Sequence, residues 1–115
     1  MLSVDEEDLF LSVLTIGELQ KGISKLSASR KKKQLSEWLE NDLRLRFEYR
    51  LLPISQDIAV RWGILQGDLE KEGMPMATID GLIAATALEY NLTLVTRNVD
   101  DFKNSGVPLF NPWSE

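Results

Sequence analysis

The chain has 115 residues, a formal net charge of −5 and neither cysteine nor histidine. That length suits one domain with a hydrophobic core of its own. The missing residue types exclude disulfides, thiol catalysis, serine–histidine hydrolysis and most zinc or copper sites, which leaves oxygen ligands suited to Mg²⁺ or Mn²⁺.

Met1 leads into a soon acidic stretch (Asp5, Glu6, Glu7, Asp8) with no basic leader and no long apolar run, so a cytoplasmic protein without a membrane span is expected. The net acidity argues against a sequence-indifferent nucleic-acid coat protein. The charge is uneven, however. Lys25, the run Arg30 to Lys33, Arg44, Arg46 and Arg50 make the middle third basic. That run is either a solvated helix start or a contact for phosphates.

"LFLSVLTI" (Leu9 to Ile16) is apolar and too short for a helix of its own, and reads as a strand buried on both faces. Next, "TIGELQKGISKL" repeats Ile16, Leu19, Ile23 and Leu26 at helical spacing. A long helix is expected over about Lys31 to Tyr49, with Leu35, Trp38, Leu39 and Leu43 inward, followed by a short strand "RLLPI" that Pro53 ends or places at an edge. Ser55 caps the next helix, whose stripe is Ile58, Ala59, Trp62, Leu65 and Leu69, and Gly73 stops it. Thr78 to Tyr90 reads as helix, "LTLVT" as strand, "RNVDDFKNSG" as irregular and "VPLF" as a last short strand. Strands alternating with helices predict an α/β fold, a largely parallel sheet with helices on both faces.

Ligands of such sheets gather beyond the carboxyl ends of the strands. Glu18 follows the first strand, and Asn98, Asp100 and Asp101 follow "LTLVT". Asp80 stands in the first turn of its helix, where the dipole favours a carboxylate. Three sequence-distant oxygen ligands then converge on a pocket fit for Mg²⁺. Each also has a local explanation. Thr15-x-x-Glu18 matches a capping box, Thr78 can cap the helix of Asp80, and Asn98 with the paired aspartates can be turn residues. Gly17 and Gly81, beside suspected ligands, permit close approach of backbone or substrate.

"LSVLTIGELQKGI", "IDGLIAATALEYNLTLVTRNVDDF" and the terminal "FNPW", in this order, resemble a PIN (PilT N-terminus) domain. The likeness is to toxin ribonucleases of the virulence-associated protein C type, including the fast-intracellular-trafficking protein B branch, and spans nearly the whole chain. It implies a three-layer α/β/α sandwich and Mg²⁺- or Mn²⁺-dependent RNA cleavage. It further implies a homodimer silenced by a small antitoxin that often binds operator DNA. Glu18 matches the "GEL" glutamate, Asp80 the aspartate before "GxIAATA", and Asn98 the fourth acidic position after "TR". Asp101 is implied as an acid at or near the metal, and Thr96 as a partner of a ligand or of metal-bound water. Arg30 to Lys33, or Arg97, would position the RNA backbone.

Family members open with a central strand ending in "D-T-N", whose aspartate is a principal ligand; this sequence contains no such motif. The expectation is therefore an N-terminally truncated PIN-like domain. A misplaced start codon, a shortened descendant, or a partner chain that fills the gap would each account for it. The functional expectation is an endoribonuclease toxin, weak or inactive in this form. The alternative is a catalytically impaired module that dimerises or binds antitoxin.

Overall fold

The computed structural model describes residues 8–112, so the acidic Asp5 to Glu7 and the Trp113 of "NPW" lie outside the described residues. Within these the chain divides between Pro53 and Ile54 into two compact units.

In the first unit, β1 (Leu11–Ser12) runs into α1 (Val13–Ser24), and α2 (Arg30–Glu37) continues through π-helical turns (Trp38–Leu43) into α3 (Arg44–Arg46) before β2 (Leu51–Leu52). The helix after β1 begins earlier than its periodicity suggests, because Ser12 is the cap. The Ser12 Oγ accepts a hydrogen bond from the Leu14 N–H at 3.1 Å. Val13 to Ile16 are therefore helical rather than extended, and Thr15 lies inside the helix, so the Thr15–Glu18 capping box is not formed. Ser29 caps α2 by accepting from the Lys32 N–H at 3.1 Å. Leu39, 1% exposed, anchors the long helix, whereas Trp38, expected inward, is 38% exposed. β1 and β2 pair in parallel, Leu11 with Leu51 and Ser12 with Leu52. The Arg50 guanidinium lies 4.5 Å from the Phe47 ring centroid and donates to the Leu9 carbonyl, which ties the start of β2 to β1.

The second unit holds α4 (Gln56–Lys71), α5 (Thr78–Glu89), β3 (Leu94–Val95), α6 (Val99–Phe102) and β4 (Leu109–Phe110). Ser55 caps α4 as expected, accepting from the Ile58 N–H at 3.2 Å. Gly73, at φ 73°, ends it in the left-handed conformation that glycine adopts without a steric penalty. Ile58 is fully buried, but Ala59 is exposed, so the stripe is narrower than expected. Helix α5 packs on α4 and is rich in small residues on its buried side: Ala84 and Ala85 are fully buried and Ala87 nearly so. Thr86 joins them because its Oγ1 donates to the Leu82 carbonyl at 2.8 Å, which satisfies a hydroxyl that burial alone would penalise.

Asn91, at φ 56°, turns the chain out of α5 towards β3. β3 and β4 pair in parallel, Leu94 with Leu109 and Val95 with Phe110. The "irregular" segment contains the one-turn helix α6, whose Phe102 packs with Ala84, Ala87 and Val107. The strands are parallel as expected. Among the described residues they form two two-stranded ladders, each within its own unit. No helix among these residues is long and apolar enough to cross a membrane.

Candidate metal centre

Asp80 is the third residue of α5, partly buried, at the positive end of the helix dipole. It faces an open cleft of about 400 Å³ within the second unit. One wall is the α4–α5 loop, Met74 to Ala77; the rest is Asp80 with Asp100, Asp101 and Asn104 from α6 and the turn after it. The short helix delivers these polar groups. Asp100 and Asn104 are four residues apart and Asp101 and Asn104 three, spacings that share one helical face. The buried Phe102 holds the turn in place.

Burial, and secondarily the negative charge of Asp101, raise the Asp80 carboxyl above its ordinary pKa of 3.8. A raised pKa means that the folded state binds the proton more tightly than the unfolded chain does. The folded state is therefore penalised as pH climbs from 3.8 through the raised value, and the penalty is complete above it. In EDTA at pH 7, Asp80→Asn is expected to melt no lower than the parent chain. Any advantage should close as pH falls below the ordinary carboxylate range. Melting curves between pH 3 and 8 check this; a clearly lower Tm at pH 7 would contradict the penalty.

A hard divalent cation would relieve the same repulsion, and the charged groups lining the cleft are all carboxylates, which suits Mg²⁺ or Mn²⁺. Of the acids lining the cleft (Asp80, Asp100 and Asp101), Asp80 and Asp101 would hold such an ion, with water completing its shell. Among the described residues no three His, Cys, Asp or Glu side chains are grouped closely enough to hold a metal ion by themselves.

The other expected residues are placed differently. Asn98 is exposed at the start of α6, where its N–H donates to the Thr96 Oγ1 at 3.0 Å and its side chain makes no capping bond. Thr96 is thus engaged with local backbone, and neither residue lines the cleft. Glu18 is exposed on α1, in the first unit. Asn104 lines the cleft without a signal of its own in the sequence. A one-turn helix has no periodicity to reveal it; the aspartate pair ahead of Phe102 was the available signal.

Gly81 has a packing role. A Cβ there would meet the Trp62 indole at 2.9 Å from Nε1 and 3.0 Å from Cδ1. The glycine beside Asp80 thus admits the indole edge of α4 against α5, rather than a substrate. The Trp62 Nε1 is buried there without a hydrogen-bond partner.

The PIN domain family model matches residues 2–106. Toxin FitB of Neisseria gonorrhoeae is 36% identical over 109 residues, covering 95% of this chain and 78% of that protein. VapC ribonuclease Y4jK of Sinorhizobium fredii is 29% identical, covering 93% of this chain and 76% of its own. The structure of FitAB bound to an IR36 DNA fragment superposes with a TM-score of 0.90 at 32% identity, over 97% of this chain and 78% of that one. An α/β chain with parallel strands, an acidic start to its "IDGLIAATA" helix, and a family match over nearly its whole length belongs to the PIN domain family.

Proposed function

We propose that the protein is the toxin of a toxin–antitoxin pair, an endoribonuclease that cleaves RNA phosphodiester bonds with Mg²⁺ or Mn²⁺. The observation that carries this reading is the pairing of Asp80 and Asp101 at one cleft, with Asp80 held above its ordinary pKa. The ion, when bound, would lower the pKa of a water and stabilise charge on the leaving oxygen. Asp80 and Asp101 would hold it. Glu18 and Asn98 are proposed as further ligands on the strength of the family pattern alone. Asn104, lining the same cleft, is placed to donate its amide to a substrate oxygen.

Relatives named toxin FitB and VapC ribonuclease support the toxin role, and the DNA-bound FitAB structure supports a partner that joins the toxin to DNA. A homodimer in the cytoplasm belongs to the same reading. The test is incubation of the protein with RNA in Mn²⁺, in Mg²⁺ and in EDTA. Weak cleavage in the metals, abolished by EDTA, is the expected result.

A second reading, an impaired PIN domain that binds antitoxin without cutting RNA, is favoured by the lack of a three-acid group among the described residues. Antitoxin binding with no cleavage in either metal would select it.

Arg30, Lys31 and Lys33 are exposed in the first turn of α2, where the helix dipole disfavours cations. Local stability therefore does not explain them. Their proposed role is contact with RNA phosphates. Lys31→Ala with Lys33→Ala is expected to flatten the dependence of log affinity on log salt by about 1.4, at about 0.7 per lost contact on single strands. Filter binding in EDTA checks this, and an unchanged slope would mark the run as a solvated helix start.

A further inference from the structure

Helix α5 presents Asp80 to the cleft in its first turn, yet its own start is poorly secured. The N-cap residue is Ala77, which offers no side-chain acceptor, and no capping bond is made there. A helix start of this kind forgoes about 1 kcal/mol that a Ser, Thr, Asp or Asn would supply. The restraint comes from α4 instead. The Gln66 Nε2 donates to the Met76 carbonyl at 3.0 Å, and the Met76 N–H donates to the Gln66 Oε1 at 3.3 Å. One side-chain amide thus engages both backbone groups of the residue just before the N-cap. Two bonds, one to the peptide on each side of the Met76 Cα, fix the residue in rotation as well as position, which a single bond does not. A further contact sets the direction of the amide: the Gln66 Nε2 also donates to the Glu70 Oε2 at 3.3 Å. A carboxylate accepts only, so it holds the nitrogen end on its own side.

We infer that Gln66 is a positioning residue for the cleft: its two-point hold on Met76 fixes both the loop wall and the first turn of α5 that carries Asp80. Met76 belongs to the loop that faces the cleft, four residues ahead of Asp80. Cation sites need ligands held to within about 0.5 Å, so a frayed first turn weakens binding without unfolding the protein. The consequence for metal affinity rests on the reading that Asp80 holds a divalent ion; the restraint on the helix start does not.

The experiment uses the full chain and Mn²⁺ alone as probe. Gln66→Met keeps the side chain's length and removes both bonds to Met76. Arg61→Gln is the control, because Arg61 also bridges α4 to α5, through a 2.9 Å pair with Glu89. Amide hydrogen exchange at residues 81–84, whose N–H groups bond back to the first turn of α5, and Mn²⁺ titration are both recorded. Gln66→Met is expected to speed exchange at 81–84, and to weaken Mn²⁺ binding about tenfold, in the range usual for residues that orient a ligand. Arg61→Gln should do neither. Exchange at 81–84 unchanged in Gln66→Met would overturn the inference, as would an equal loss of Mn²⁺ binding in Arg61→Gln. If the parent chain binds no Mn²⁺, or Asp80→Asn binds it equally well, the metal reading fails. Exchange then decides the positioning role alone, with acceleration confined to 81–84 supporting it.

Discussion

Asp80→Asn is expected to reduce Mn²⁺-dependent RNA cleavage by two to three powers of ten while leaving the fold intact. An ion that stabilises a transition state contributes several kcal/mol, and each 1.36 kcal/mol is about tenfold in rate. The amide keeps the shape of the carboxylate but loses the charge that holds a hard cation. Asp101→Asn should act in the same direction, because Asp101 lines the same cleft and would hold the same ion. Two features separate this from simple damage. The apo protein should keep its melting temperature in Asp80→Asn, and cleavage should be restored in part by raising Mn²⁺. Initial rates against a labelled RNA over a Mn²⁺ series measure both. A variant that cuts as fast as the parent would remove Asp80 from the chemistry.

Gly81→Leu is expected to cost about 3 kcal/mol or more, at the upper end of what overpacking does to a core. Leucine is the better helix former, by somewhat under 1 kcal/mol, so the sign is set by packing. A Cβ at this position already stands 2.9 Å from the indole of Trp62, and the larger side chain forces α5 away from α4. That separation reaches Leu65 of α4, which packs against the cluster of Ala84, Ala87, Phe102 and Val107. Trp62→Ala in the same chain should recover part of the loss by opening the space, a coupling that a double-mutant cycle reads directly. Urea denaturation of the four proteins measures it. Strict additivity of the two substitutions would mean that the glycine is not there for the indole.

The sequence signals that held were those that act locally. Ser55 and Gly73 bound α4 because a capping hydroxyl and a left-handed glycine work within four residues of chain. The start of α1 lies near two good capping residues, and Ser12 rather than Thr15 is the cap. Ser12 and Thr15 are equivalent by composition, and the pairing of Ser12 with Leu52 leaves the serine at the strand end. The width of α4's buried stripe, with Ala59 outside it, depends on how closely α5 approaches, which its own periodicity does not state. For the cleft, the convergence of Asp80 with Asp101 followed from the rule that places ligands beyond strand ends, since β3 ends just before α6. Asn104 and the hold of Gln66 on Met76 did not. Both need the position of a loop that carries no periodic pattern. The glycine after Asp80, read as room for backbone or substrate, is room for the Trp62 side chain.

Titration of the metal-free chain with Mn²⁺, followed by calorimetry or by the paramagnetic loss of its free-ion signal, tests the central claim most directly. The account requires a saturable site in the parent chain that weakens at least about tenfold in both Asp80→Asn and Asp101→Asn. Binding that neither substitution changes would place the ion elsewhere and contradict the assignment of this cleft.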